Sequence, residues 1–405
     1  MRIHTNYKTD GVSECMMKSL RNALCALVLA ASISCSSQDS YPGGIEQRVL
    51  TDNHTVAIIH SGGAYSGDWS SNDPDIPAVD IRTSEQVRIQ NSSIQTAGSA
   101  AIFSSWKYYA DVIVDNVTVA GLDDLTKGVS PGRFIHLDRF LRAHIVNSSA
   151  SNTAGMYFHD ADAATIQITN NMLYDINGGV SDGNGGLMSV LKVQGIQFDQ
   201  LTELTNSEIS FNEFHNTPGL TNVEDVINIH NSSASADDPL RIYMNWISHA
   251  STVFAVDYDS TFTGGGILIS DGADGSHHIH ASHNTIVGTV NYALGIASGS
   301  HNKLFDNTAV SCGKISVDGL EKVLPSQNVG IYIYNHYNSS NFQNNSGFGN
   351  SVAWVRADQK RNDVFVVEAE RWEDNISLFD NQEVPCDYTQ MYQTYSEKKN
   401  TLLFE

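Results

Sequence analysis

The sequence predicts an all-β solenoid of about ten stacked coils, and three observations predict it. Short alternating apolar strands recur along the chain, as in VIVDNVTVAG, IQITNNMLYDI, LRIYMNWISHA, IHASHNTIVG and KLFDNTAVSCG. They return at roughly 20–35 residues, the spacing at which a fixed period means a solenoid. One or two Asn punctuate most of them, and helical periodicity is nearly absent. Gly is frequent at 31 and Pro scarce at 8.

Each element has a physical reason. A strand of three to six alternating residues buries one face and wets the other. One coil cannot bury its apolar row alone, but stacking puts Ile over Ile and Val over Val. Asn at a bend tolerates the left-handed backbone of a tight corner, and stacked amides can hydrogen-bond from coil to coil. In these features residues 50–360 resemble the right-handed parallel β-helix (pectate-lyase-like) superfamily. The resemblance implies a right-handed parallel β-helix over residues 77–360, with a groove along one sheet. Residues 36–76, containing TVAIIHSGGAYSGDWSS, are expected to cap the N-terminal end. Residues 361–405, containing RNDVFVVEAERWEDNISLF, break the pattern and are expected to cap the other.

The chain has 405 residues, with 23 Lys plus Arg against 45 Asp plus Glu, a formal charge of −22. No basic footprint exists for nucleic acid or anionic lipid. An anionic polymer is compatible only where a local positive patch or a bound metal offsets this field. Residues 1–35 read as an export signal: Met16 or Met17 is a candidate start, Lys18 and Arg21 precede the apolar run ALCALVLAA, and SISC ends it. Cys35 then has the place of a lipidated lipobox cysteine, although Ser32 departs from that pattern. Lipid attachment at Cys35 and plain secretion after Ser34 both remain open, and the only membrane attachment expected is through that lipid. Cys312 and Cys386 could pair in an oxidising compartment.

The stretch HHIHASHN, from His277, is dense enough in histidine to suggest a metal. Ile279 and Ala281 take the inward parity, so His278 and His280 are read as outward strand residues, with His283 at the corner before Asn284. No carboxylate or Cys of matching spacing adjoins them, so they are expected to be solvated rather than ligating. The adjoining SDGADG offers Asp271 and Asp274 as oxygen ligands on a Gly-rich turn.

The groove strands are expected to be PAVDIRT, SAAIFSS, RFIHLDR, GMYFHDA, SVLKVQG, DVINIHN, GGILISD, YALGIAS, VGIYIYN and SVAWVRA. With the apolar parity inside, the outward residues in stacking order include Ala101 and Phe103, His136 and Asp138, Tyr157 and His159, Lys192 and Gln194, Asn228 and His230, and Leu268 and Ser270. Tyr332 and Tyr334, then Trp354 and Arg356, follow. Lys192, His159, His230 and Tyr157 are the candidate catalytic residues. His136, Asp138, Asn228, Gln194, Tyr332, Tyr334, Trp354 and Arg356 are candidates for substrate binding, the aromatics by stacking on sugar rings. Asp160, Asp162, Glu224, Asp225, Asp271 and Asp274 are candidate ligands for Ca2+. Asp225 has inward parity, which is costly unless it is paired or turned outward. Asp257 and Asp259 sit in a long loop before GGGILIS.

A polysaccharide lyase acting on uronate-containing glycans fits this set. β-Elimination needs a base for the proton beside the carboxylate, a group that neutralises the carboxylate, and an acid for the leaving oxygen. Lys192 is a candidate base or neutraliser, His159 or His230 a candidate base, Tyr157 a candidate acid. Uronate epimerisation shares the first step. A glycoside hydrolase needs two carboxylates at a set distance. The only adjacent Asp pairs, Asp123–Asp124 and Asp237–Asp238, lie in loops without the His-Gly and Arg-x-Lys of the β-helix hydrolases. A non-catalytic glycan-binding or adhesin solenoid predicts a smoothly repeated row, and the polar middle of this one is uneven.

Overall fold

The structure, a computed structural model, describes residues 44–403 except 52, 252–262, 318, 319, 324–328, 357 and 381. The export-signal and Cys35 expectations, and Asp257 and Asp259, lie outside the described residues. The fold is a right-handed parallel β-helix. One sheet of 12 strands runs its length: Ile45–Thr51, His54–Ile59, Val79–Ile81, Ala100–Ser104, Arg133–Asp138, Met156–His159, Gln194–Asp199, Asp225–His230, Gly265–Asp271, Tyr292–Ile296, Val329–Ile333 and Val364–Val366. Only the first is antiparallel to its neighbour, and it covers the outer edge of the first coil. The coils begin before residue 77, since Gly63–Tyr65 and Asp68–Ser71 already pair with Gln86–Thr96. They also run past residue 360, because Val364–Val366, Arg371–Glu373 and Ile376–Ser377 add one more coil.

Inside, side chains stack in columns. Ile135, Met156, Ile196, Ile227, Ile267, Leu294 and Ile331 lie in register, one per coil. All are fully buried, and each such side chain stabilises the stack by about 2 kcal/mol relative to exposure.

The corners divide two jobs that the sequence reading gave to one Asn. The first corner residue takes the left-handed backbone: Asn170, Phe211, Met244, His283, Asp306, Gly349 and Asp374 all have positive φ. The next residue is the ladder amide, and Asn171, Asn212, Asn245, Asn284, Asn307, Asn350 and Asn375 form one continuous chain. Each Nδ2 donates to the next Oδ1 at 2.8–3.0 Å. Its second hydrogen goes to a backbone carbonyl of an adjacent coil, such as Asn245 to Ile209 at 2.8 Å. Each Oδ1 also accepts the backbone N–H of the preceding ladder residue, as Asn245 does from Asn212 at 3.0 Å. A buried amide is tolerated here because every donor and acceptor is used.

After the last coil the helix Thr389–Leu403 packs along the flank over Met244, Trp246, Val287 and Val310. The Cys312–Cys386 disulfide ties down its approach. Lys399 Nζ sits 2.9 Å from Glu213, which also accepts from Tyr392 at 2.8 Å and contacts His215 at 3.0 Å. Burial opposes the Glu213 charge, yet His215, Lys399 and Tyr392 hold its pKa down at about 2. Among the described residues no helix is long and apolar enough to cross a membrane.

Asn245→Ala is expected to lower unfolding stability by at least about 3 kcal/mol, because it leaves buried groups on both neighbouring coils without partners. Denaturant unfolding checks this. A loss under about 1 kcal/mol would mean the ladder is incidental.

Candidate functional site

The outward face of the long sheet carries the polar cluster, and its register was partly foreseen. His136 lies beside Tyr157, and Asp138 beside His159. The next coil corrects the sequence reading. Its groove strand is Gln194–Asp199, so Gln197 and Asp199 stand beside Tyr157 and His159. Ser189 and Val190 belong to an antiparallel hairpin with Gly179–Ser181, and Lys192 sits in the short link between hairpin and strand. Asp199, which the sequence reading missed, pairs in register with His230. The available signal was QGIQFD, whose alternation matches a groove strand better than SVLKVQG does.

Other placements differ for stated reasons. Phe134 with Ile135, Ala101 with Ile102, and Val226 with Ile227 are consecutive fully buried core residues. Two inward residues in a row reverse the parity of what precedes them. Ala101 therefore points inward, and Asp225 turns to the groove side. An extra residue in Gly265–Asp271 shifts the register, so Asp271 rather than Ser270 lies opposite His230. Ser270 is fully buried against Ser276 and Ser298. Trp354 is fully buried, because Ser351–Trp354 pairs with Thr308–Ser311 on another wall of the coil. The groove strand of the last coil is Val364–Val366, which brings Phe365 beside Tyr332. Arg356 bonds Asp358 at 2.5 Å instead of facing the groove. Tyr334 is exposed and tilts against Phe365, with ring centroids 5.6 Å apart. The histidine stretch is corner and flank: His278 and His283 take positive φ, His278 stacks on His301 at 4.9 Å, and half-buried His280 meets Phe305 edge-on. His280 keeps the outward place on the strand Ile279–Ser282 that its parity gave it, and its partial burial lowers its pKa to about 4.

Two linked groups of side chains line the groove. In the first, Asp138 Oδ1 lies 3.2 Å from both His136 Nε2 and His159 Nδ1. Asp199 accepts from the Tyr157 hydroxyl at 2.6 Å and contacts His230 Nδ1 at 2.7 Å. Tyr157 stacks on His159 at 5.8 Å, and Arg133 lies over its ring at 4.6 Å. Burial pushes the Asp138 and Asp199 carboxyls up, but their hydrogen bonds to His and Tyr and the His charges hold both below the usual range. An ionised Asp199 can only accept, so Nδ1 of His230 carries its proton and Nε2 is left as the basic nitrogen. Asn231 Nδ2 lies 3.4 Å from that nitrogen. The hydrogen bond to Asp199 raises the His230 pKa. Burial, then the bond to Asp199, pushes the Tyr157 hydroxyl well up, so it stays a proton donor.

The second group lines a concavity of about 470 Å³ bounded by Lys192, Glu224, Asp225, Asp271, Tyr292 and Tyr332, with Tyr337 and Phe365 at its side. Lys192 Nζ meets Glu224 Oε1 at 2.8 Å. That bond raises the Lys192 pKa, so it is a cation rather than a base at neutral pH. Asp225 accepts from the Tyr292 hydroxyl and, at 3.0 Å, from Asn228 Nδ2. Gly265 makes that possible, since a Cβ there would lie 2.1 Å from Asp225 and 2.5 Å from the Tyr292 ring. Asn228 Nδ2 also reaches Asp271 at 3.1 Å, and Tyr337 donates to Asp271. Asp271 stands beside His230 in register and so joins the two groups.

The remaining candidate acids lie elsewhere. Asp160 turns a corner with positive φ and bonds Arg139 at 2.5 Å. Asp162 accepts from Thr202 at 2.7 Å, and Asp274 is exposed. Among the described residues no three Asp, Glu, His or Cys side chains converge as a metal cluster.

No protein-family model matches the chain, and no curated protein matches it in sequence. Among solved structures, the chain is similar to crystal structures of the periplasmic alginate epimerase AlgG. Two with single substitutions give TM-scores of 0.37 and 0.34 at 9% identity, over 80% of this chain and 85% and 86% of theirs. A third gives 0.32 at 8% identity, over 80% of this chain and 85% of its own. A likeness of this degree assigns no residue of the groove.

Burial, and next the Glu224 charge, raise the Asp225 pKa to about 7. The folded chain thus keeps a proton that the unfolded chain releases above about pH 4. Stability attached to that proton is present below pH 4 and is lost as pH rises towards 7. Asp225→Asn keeps an acceptor for Tyr292 without the charge. In buffer free of divalent cations it is expected to leave stability at pH 4 unchanged and to raise it at pH 8, by up to about 4 kcal/mol. Thermal unfolding at the two pH values checks the sign.

Proposed function

We propose that the chain is an exported carbohydrate-active enzyme that removes the proton next to the carboxylate of a uronate-containing polysaccharide, as a lyase. The observation that carries this reading is the convergence of two His–Asp pairs and Tyr157 on neighbouring coils of one open groove. In the proposed step, His230 Nε2, oriented through Nδ1 by Asp199, takes the C5 proton. The C5–H electrons form the C4=C5 double bond, the C4–O bond breaks, and Tyr157 or His159 gives a proton to the leaving oxygen. Lys192 offsets the charge that builds on the uronate carboxylate. Tyr332, Tyr334 and Phe365 offer apolar faces to sugar rings further along. The Cys312–Cys386 disulfide suits an oxidising compartment and supports the export signal read from residues 16–35. Outer-membrane lipidation at Cys35 stays part of the proposal.

Uronate epimerisation is the second reading. It departs from elimination only once the proton is gone: the anion is reprotonated at C5 from the opposite face, and the C4–O bond survives. Tyr157 and His159, beside the His230–Asp199 pair, supply the second donor it needs. Glycoside hydrolysis fits less well, since Asp138 and Asp199 are both committed to His partners. A purely binding solenoid gives no reason for such pairs.

Incubation with a panel of uronic-acid polysaccharides, read by the ultraviolet absorbance of unsaturated uronides, tests the reading. A lyase gives rising absorbance on one polymer, and His230→Ala lowers the rate roughly 100-fold or more. New reducing ends without absorbance would contradict it. The base acts when neutral, so the rate is expected to rise with pH through the raised His230 pKa. Asp199→Asn removes the cause of that rise. Its rate should fall, and its acid limb should move to lower pH.

A further inference from the structure

Nine of the described arginines lie within 3.5 Å of a carboxylate oxygen. Arg133 is the remaining one, and no carboxylate among the described residues pairs with it. In a chain with 45 Asp plus Glu against 23 Lys plus Arg, an arginine lacks an acid only where the fold keeps acids away from it.

Arg133 opens the groove strand Arg133–Asp138. Phe134 and Ile135 after it are both fully buried, so the reversal that turns Asp225 outward also puts Arg133 on the groove face. Its guanidinium covers the Tyr157 ring at 4.6 Å. Nη1 donates to the Ala154 carbonyl at 3.5 Å, the one side-chain hydrogen bond it makes to the described residues. Asp138 and Asp199, the acids of this part of the groove, are held by histidines. A guanidinium has five N–H donors, and most of these find no acceptor in the chain. Stacking on Tyr157 fixes the plane of the group but satisfies none of them. Burial lowers the Arg133 pKa to about 10, so the group is still a cation at neutral pH.

We propose that Arg133 is the specificity residue of a separate groove subsite, where its N–H fork takes an anionic substituent, carboxylate or sulfate ester, of a bound glycan. Both substituents offer two oxygens at the spacing of the fork. His230 stands three coils further along the sheet, about 14 Å at 4.8 Å per coil. The sugar that Arg133 reads is therefore not the sugar that meets His230, whose own carboxylate is left to Lys192. A polymer with isolated acidic sugars among neutral ones is then a poorer ligand than an uninterrupted acidic run. The inference rests on the reading above for the groove as the glycan's place, and on none of its chemistry.

Affinity electrophoresis of the full folded chain tests it, with each polymer cast in a native gel. The polymers are a polyuronate, the same polymer with its carboxyls reduced to alcohols, and a sulfated neutral glycan. The native chain is expected to bind an anionic polymer about tenfold or more tightly than the reduced one. Arg133→Gln should lose that preference and leave the weak binding to the reduced polymer unchanged, which separates a lost contact from a disturbed groove. Arg241→Gln, on another wall where it bonds Glu208, should change nothing. Unfolding temperatures confirm folding. Arg133→Met, which still covers Tyr157, takes over if Arg133→Gln does not fold, and the native chain's preference decides if neither does. Equal binding of anionic and reduced polymers by the native chain overturns the proposal, as does no binding to any of them. So does Arg133→Gln that binds like the native chain, or that loses the reduced polymer equally. Arg133-dependent binding of the sulfated glycan alone upholds the subsite and contradicts the uronate reading. Proton loss from the polyuronate with binding unaltered in Arg133→Gln upholds that reading and overturns the subsite.

Discussion

The spacing of one coil above the next, about 4.8 Å, is the constraint on which the rest of the molecule depends. It is held by apolar columns inside and by the amide chain from Asn171 to Asn375 at one corner. A slip of one residue on any coil would turn its apolar row outward and take its Asn out of the ladder. Register is thus fixed twice, by hydrophobic burial and by hydrogen bonds that have no alternative partners. Side chains tens of residues apart in sequence are then placed within hydrogen-bonding distance without any loop having to find its position. Tyr157 and Asp199 are 42 residues apart, yet stand 2.6 Å from each other.

The groove exploits departures from this regularity. Where two inward residues come in succession, as Val226 and Ile227 do, the residue before them joins the outward face. An acid that would be ruinous in the core becomes a half-neutral carboxyl under Tyr292. Where an extra residue enters the strand ending at Asp271, an acid replaces a serine beside His230. Glycine at 265 leaves room for Tyr292 to cross to the neighbouring coil, and Gly295 leaves room for the Tyr332 ring, 2.4 Å from where its Cβ would stand. The second group of groove residues is concentrated at these irregular positions because a regular coil can present only one outward residue in two.

The same contrast decides what was legible in the sequence. Alternation and corner Asn carry the fold, so the solenoid and most groove strands can be read directly. His136, Asp138, Tyr157, His159, Asn228 and His230 follow from parity alone. Parity fails where the strand is bulged or bent, which misplaced Ala101 and Ser270; for Asp225 it left the choice between pairing and turning outward, and the structure does both. Parity also fails where an insertion offers a second alternating run. SVLKVQG mimics a groove strand, although the hairpin formed with Gly179–Ser181 claims its first residues, and this hid Asp199. SVAWVRA is equally apolar on either wall, so Trp354 was read outward. Nothing local distinguishes an Asn that adopts the left-handed corner from the Asn beside it that forms the ladder. That division appears only when coils are stacked.

The central claim is that register assembles a base capable of taking the proton beside a uronate carboxylate. The direct measurement is exchange of that proton in deuterated water, monitored by NMR on the polysaccharide. Its advantage is that elimination and epimerisation both require the step. The account predicts that C5–H is lost or replaced by deuterium with the native chain and retained with His230→Ala. Polymer cleaved with C5–H intact, or proton loss undiminished in His230→Ala, would contradict it.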